Sequence, residues 1–383
     1  MKGLKLTLLL LSMLTMMAAA IIAPSLPAIA LEFQDFPNVE LLAKLVLAVP
    51  ALMIAMVAPF AGRYIDKFGR LKLLYLGLAG YALSGASAYF LYDLYLILAS
   101  RIVLGMSIGI IMTIAITLVG DYFEGEARQK FVGYQAAFIG LAGVFFMSLG
   151  GFLATIHWRV PFLIYLFSLL LIPMTFFFLK EPNSGAANPA NSNDASPPLL
   201  KVLFLIGTLF MVLFYLFPTQ LPFLLKFIGI TEPSYAGNAL AVNALGMVVS
   251  SLFYSSIKQK MSFVKVALTG LLLMGVGYSG TGMASDFSMV LLTVFIAGLG
   301  LGLFIANLSF WVMELSPPQV RGKNMGILTA CLFIGQFLSP IIAQPIVSNT
   351  NLAFLFKSAL MVIGLMGLIL IGARFVFPLA KRV

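Results

Sequence analysis

Apolar residues in this chain run together instead of alternating with polar ones. Twelve stretches qualify, at residues 6–30, 43–62, 73–91, 94–120, 131–155, 160–179, 201–225, 235–256, 264–284, 287–313, 325–348 and 352–376. Each has the length of a bilayer-crossing helix, about 20 mostly apolar residues. Transmembrane strands would show alternation over segments of about ten residues; runs such as Phe162 to Leu179 have none. Helices also satisfy their own backbone hydrogen bonds in lipid. The pattern therefore predicts an all-α membrane protein with 12 transmembrane helices. The first run is too long for the apolar core of a signal peptide. Its tail, Pro24-Ser25-Leu26-Pro27, is no small-residue cleavage site, so the run is expected to stay in the chain.

One segment breaks the pattern. Residues 181–200, EPNSGAANPANSNDASPPLL, are rich in Pro, Asn, Ser and Ala and read as a flexible linker. It separates residues 1–180 from 201–383, with six predicted spans on either side. Shifting the first part by 193 residues lays Gly105, Gly109, Asp121, Arg128 and Gly133 on Gly298, Gly302, Glu314, Arg321 and Gly326. Pro24 and Pro27 of span one have partners in Pro218 and Pro222 of span seven at slightly larger offsets. The halves thus read as copies. Six spans per copy give both the same orientation, as two bundles related by a pseudo-twofold axis along the membrane normal. That is one of the two repeat plans of transporters, with substrate expected near the midplane.

Composition agrees. The 383 residues are 61% hydrophobic and only 9% charged, with mean hydropathy +1.07, too little charge to cover a water-facing surface. One Cys and one His exclude a disulfide framework, a Cys-based zinc site and a poly-His metal centre. No metal or cofactor is implied. The net charge of +10 is scattered between apolar runs, not gathered on a basic face, which argues against nucleic acid. With the N-terminus inside, only Lys44, Arg159 and Lys226 fall outside and Arg101 and Lys357 within spans. The remaining Lys and Arg lie inside, as the positive-inside bias requires. Both termini are expected to be cytoplasmic.

The loop after span two reads Gly62-Arg63-Tyr64-Ile65-Asp66-Lys67-Phe68-Gly69-Arg70-Leu71-Lys72. It resembles the signature Gly-x-x-x-Asp-Arg/Lys-x-Gly-Arg-x-Lys/Arg of the major facilitator superfamily. Ala20 to Ile29, Arg101 with Gly105, and Trp158-Arg159-Val160-Pro161-Phe162 resemble spans one, four and the start of span six in its twelve-span drug:proton antiporter branch. The resemblance implies two six-helix bundles around a cavity lined by spans 1, 2, 4, 5, 7, 8, 10 and 11. It implies a monomer in the bacterial inner membrane that moves small organic molecules by alternating access, as an efflux pump exchanging substrate for protons. It further implies a conformational latch. Asp66 would face the start of span eleven near Lys323-Asn324, and Arg70 would pair with Asp121. Gly62, Gly69, Arg128, Glu314 and Arg321 belong to the same loops and their copies.

Two features depart from that branch. Met147 stands where its span-five signature carries a proline before the glycine pair, here Gly150-Gly151. All 13 acids also fall near span ends or in loops, with none near the middle of a span. The alternative is a proton-independent facilitator, or an organic-anion carrier using Arg101. Burying that cation costs on the order of 2.5–3.5 kcal/mol at a span's centre, so it should face protein or water. It could attract substrate or bond to backbone carbonyls. Gln135, Asn243, Asn307 and Gln336 could hydrogen-bond a substrate or act as helix glue, and Met112, Phe138 and Tyr215 could form a pliable apolar wall. Gly105-Met106-Ser107-Ile108-Gly109 matches a hydrolase elbow only as letters, because it lies within a helix. The spans supply no nucleophile–base pair, which argues against an enzyme.

Overall fold

The computed structural model describes residues 2–181, 197–317 and 320–376; the side chains of residues 59, 62–64, 66, 67, 129 and 374–376 fall outside that description. The helices are α1 (Lys2–Ala20), α2 (Leu26–Glu32), α3 (Val39–Phe68), α4 (Arg70–Ser87), α5 (Leu94–Tyr122), α6 (Gly125–Ile156) and α7 (Phe167–Phe178) in the first half. The second half holds α8 (Leu199–Phe214), α9 (Leu216–Phe227), α10 (Pro233–Lys260), α11 (Phe263–Thr281), α12 (Phe287–Leu315), α13 (Arg321–Asn349) and α14 (Leu352–Val376). Two compact units emerge, residues 1–188 with 232–237 and residues 189–231 with 238–383.

Every predicted run is helical, and three are broken. Span one is α1, a 3-10 turn at Ala23–Ser25 and α2. Span six starts as a 3-10 helix, Val160–Leu166, before α7. Span seven breaks at Tyr215 between α8 and α9. Proline explains the first and last breaks: Pro24, Pro27, Pro218 and Pro222 have no N–H for the carbonyl one turn back. Among the described residues eleven segments are long and apolar enough to cross a membrane. The third run is α4, which falls short because Arg70 and Lys72 occupy its first turn and glycine and serine fill much of the remainder. Large apolar side chains stand outward, Phe177 at 75% and Met361 at 76% exposure, as lipid-facing helices require. The linker expected over 181–200 lies largely outside the described residues, and its end is helical: Leu199 and Leu200 open α8 and are buried.

Lipid tails are as apolar as Leu, so helices in a bilayer associate through close packing and interhelical hydrogen bonds. The 193-residue repeat supplies both. In the first unit Gly105 of α5 meets α3: an added Cβ would stand 2.6 Å from the Pro50 carbonyl oxygen. In the second unit Gly298 of α12 meets α10 in the same way, against the Asn243 carbonyl. The α4–α5 crossing places Gly77 against Ile111, and the α11–α12 crossing places Gly270 against Phe304. Both residues of each pair are offset by 193. Asp93 caps α5 by accepting from Tyr95 and Leu96 N–H at 2.8 and 3.0 Å, and Asp286 caps α12 by accepting from Met289 N–H at 3.0 Å. The buried Tyr81 hydroxyl donates to Leu14 O at 2.9 Å, and that of Tyr278 to Leu213 O at 2.6 Å. Span three is thereby tied to span one, and span nine to span seven.

Gly298→Ala is expected to destabilise the folded protein by about 1–3 kcal/mol, because backbone and not a movable side chain opposes the new methyl. Gly133→Ala, where nothing lies within 4 Å, should be neutral or stabilising by about 1 kcal/mol. Thermal unfolding in detergent compares the two.

Candidate functional site

The α3–α4 turn is a single residue. Gly69 takes φ +87°, a left-handed conformation that favours glycine, and its N–H closes α3 onto Ile65 O at 3.1 Å. A glycine at this position has no side chain to cap the first N–H groups of α4. The cap comes from 111 residues away. Glu181 accepts from Arg70 N–H at 2.6 Å through Oε1 and from Leu71 N–H at 2.9 Å through Oε2, a carboxylate on the positive end of a helix. Beside it Arg70 Nε lies 3.0 Å from Asp121 Oδ2, with side chains only 10% and 24% exposed. The next residue, Tyr122, donates its hydroxyl hydrogen to Lys180 O and accepts from Lys180 N–H at 2.9 Å. The ends of α3, α4, α5 and the strand of chain leaving α7 thus meet in one charged knot.

Arg128, grouped with the latch on sequence, binds the end of α5. It donates from Nε to Phe123 O at 2.9 Å and from Nη2 to Gly120 O. A cation therefore closes the negative C-terminal end of α5. The backbone of Gly62 and Asp66 lies in α3, but the Asp66 side chain falls outside the described residues. The copy in the second unit is built differently. Ser262 takes the place of Gly69 and caps α11 locally, its hydroxyl accepting from Lys265 N–H at 3.4 Å. Among the described residues no ion pair joins Glu314 to Arg321; Asn324 Nδ2 instead donates to Ser316 Oγ at 3.0 Å.

The eight span residues expected at a substrate separate into two sets. Arg101 is fully buried: its Nη2 donates to Ser84 O and Gly85 O at 2.8 Å each, and its guanidinium lies 5.1 Å from the Phe162 ring and 5.3 Å from that of Tyr165. Carbonyls of α4 and rings of span six hold the cation. Asn243 is buried and donates to Val294 O at 2.8 Å. Asn307, also buried, donates to Phe263 O at 3.0 Å and accepts from the Tyr254 hydroxyl at 3.4 Å. Tyr215 is buried at the α8–α9 break. Met112, Phe138 and Gln135 are half-buried, and Gln135 Nε2 donates to Ser12 Oγ, joining α6 to α1. Gln336 is buried on α13 at 8% exposure.

Three polar residues escaped the sequence reading. Glu181 looked like the first residue of a linker. Lys44, counted among the outer loop charges, lies inside α3 with its side chain fully buried and Nζ 3.7 Å from Glu40 Oε2; the acid one turn earlier was the available signal. Gln220, on α9 between two prolines, is fully buried.

Comparison with known proteins follows the same lines. The family model of the Major Facilitator Superfamily matches residues 8–232 and 203–382. Multidrug resistance protein 2 of Bacillus subtilis (strain 168) is 25% identical over 330 residues, 80% of either chain. Multidrug resistance protein 1 of the same organism is 31% identical over 133 residues, 34% of either chain. The crystal structure of a bacterial homolog to the human lysosomal transporter Spinster, in an inward-facing and occupied conformation, superposes with a TM-score of 0.75 at 16% identity. That match covers 99% of this chain and 96% of the other.

Glu181→Ala is expected to cost about 0.5–2 kcal/mol, the range for a lost helix cap. Hydrogen exchange at the Arg70 and Leu71 amides should accelerate while that at the start of α11, capped by Ser262, stays unchanged.

Proposed function

The chain belongs to the Major Facilitator Superfamily, and on that premise we propose that it exports small organic molecules by alternating access. It is a multi-pass membrane transporter with the twelve-helix fold of that family, and not an enzyme. The observation that carries the proposal is the charged knot at the α3–α4 turn, in a chain whose relative over 80% of its length is named for multidrug resistance. Residues 1–180 and 201–383 are the two moving bundles and 181–200 the link between them. Gly62, Asp66, Gly69, Arg70 and Asp121 form the latch that makes and breaks as the bundles rock. Arg128, Glu314 and Arg321 shape the helix ends around it and at its copy. Met112, Gln135, Phe138 and Gln336 contribute to the substrate wall, whereas Arg101, Asn243, Asn307 and Tyr215 hold helices together. The basic loops support a topology with both termini in the cytoplasm of a bacterial cell, and the working unit is a monomer. Substrate drives such a cycle only through different affinities for its two states.

Asp66→Asn is expected to slow export about tenfold, about 1.4 kcal/mol on the barrier, while the protein stays folded. Tetracycline efflux from reconstituted vesicles measures it, and wild-type turnover in the variant would refute the latch.

The placement of the acids favours a second reading, export without proton exchange. Glu40, Asp121, Glu126 and Glu314 all sit within the end turns of their helices, so among the described residues no carboxylate stands at mid-span to carry a proton. A drug:proton antiporter loses concentrative efflux when nigericin dissipates an imposed pH gradient. The proton-independent carrier keeps its rate.

A further inference from the structure

Gln220 is an anomaly in a helix otherwise built for packing. Its α9 neighbours Leu216, Phe217, Leu221, Phe223 and Leu224 are all buried. Phe217 packs its ring 4.5 Å from that of Tyr278 and 5.7 Å from that of Phe356. Amid these apolar groups Gln220 has no solvent exposure, and among the described residues neither its Nε2 nor its Oε1 has a hydrogen-bond partner. A buried amide with both atoms unbonded is costly in water-free surroundings, and a Leu or Met of similar size would be cheaper. Helix glue does not explain it, because glue requires a bond and this side chain makes none. At about 100° per residue Gln220 lies on the face of α9 opposite Pro218 and Pro222.

The same feature recurs in the other half. Ser25 lies between Pro24 and Pro27 at the break of span one, is fully buried, and has no partner for its hydroxyl among the described residues. Each copy of the repeat thus keeps one unbonded polar side chain at its proline break. Broken helices are where transporters built from repeats hold their substrates, and real sequences break local packing rules chiefly at functional sites.

We propose that Gln220 is a substrate contact that selects molecules presenting a donor and an acceptor side by side, such as a carboxamide or a hydroxyl next to a carbonyl. This deepens the export reading and rests on it. The amide offers one N–H pair and one carbonyl oxygen, which match such a group and cannot neutralise a full charge.

Gln220→Met keeps length and volume but removes both polar atoms. Binding of tetracycline, which carries a carboxamide and several hydroxyl–carbonyl pairs, is measured by calorimetry on the purified full chain, beside thermal unfolding without ligand. The expected result is tetracycline affinity lowered about tenfold or more together with a raised unfolding temperature, since the unbonded amide is gone. Unchanged affinity overturns the proposal, as does a wild type that binds no tetracycline. A lowered unfolding temperature also overturns it, because it would mean that the amide makes a structural bond. Tetracycline efflux by the wild type is read separately: binding without efflux refutes the export reading and leaves the binding result to judge Gln220.

Discussion

Close approach of helix backbones is the constraint from which the remaining structure follows. In lipid there is no water to satisfy an orphaned N–H or C=O and no hydrophobic gain from pressing one apolar helix on another. What holds the helices together is dispersion over short distances, and these need positions without a Cβ. Gly105 against Pro50 and Gly298 against Asn243 are such positions, one in each unit and at the same register. Once backbones touch there, buried polar side chains can reach across. Tyr81 and Tyr278 bond the carbonyls of Leu14 and Leu213. Arg101 reaches from α5 to the carbonyls of Ser84 and Gly85 at the end of α4. A charge that would be prohibitive in hydrocarbon becomes a cross-link when its donors meet carbonyls and its flat face meets aromatic rings.

Duplication leaves the two units alike in their crossings and unlike at one turn. The α10–α11 turn is self-sufficient, with Ser262 capping α11 from its own N-terminus. The α3–α4 turn is not. Gly69 gives it tightness and no cap, so α4 borrows Glu181, and the Arg70–Asp121 pair completes the connection. A helix start that depends on a distant carboxylate responds to movement of the chain that carries it, whereas a local cap does not. The first turn is therefore the one suited to sense conformation, which fits the latch proposed for it.

Much of this was legible in sequence because membrane spans obey one strong rule. Long apolar runs have few alternatives in lipid, so helix count and the 193-residue repeat could be read from letters. What letters left open were questions of direction. Arg101 was recognisable as a buried cation, but letters could not show that its Nη2 reaches the carbonyls of Ser84 and Gly85. Asn243 and Asn307 were equally ambiguous between ligand and glue. Lys44 was assigned to a loop because a lysine near a span's end usually is one; the packing around α3 buries it. Span three was found as an apolar run although α4 is the weakest of the set, its glycines meeting α5 and span six.

The sequence alone determined that the chain crosses the membrane as helices, that the halves are copies, and where its charges cannot go. Those properties depend on composition over about 20 residues, which folding does not change. Tertiary structure decided which polar atoms meet. Glu181 is 111 residues from the N–H it caps, and Gln220 is distinguished from Asn243 only by the lack of a bond. Hydrogen bonds act over about 3 Å, a scale at which sequence separation carries no information.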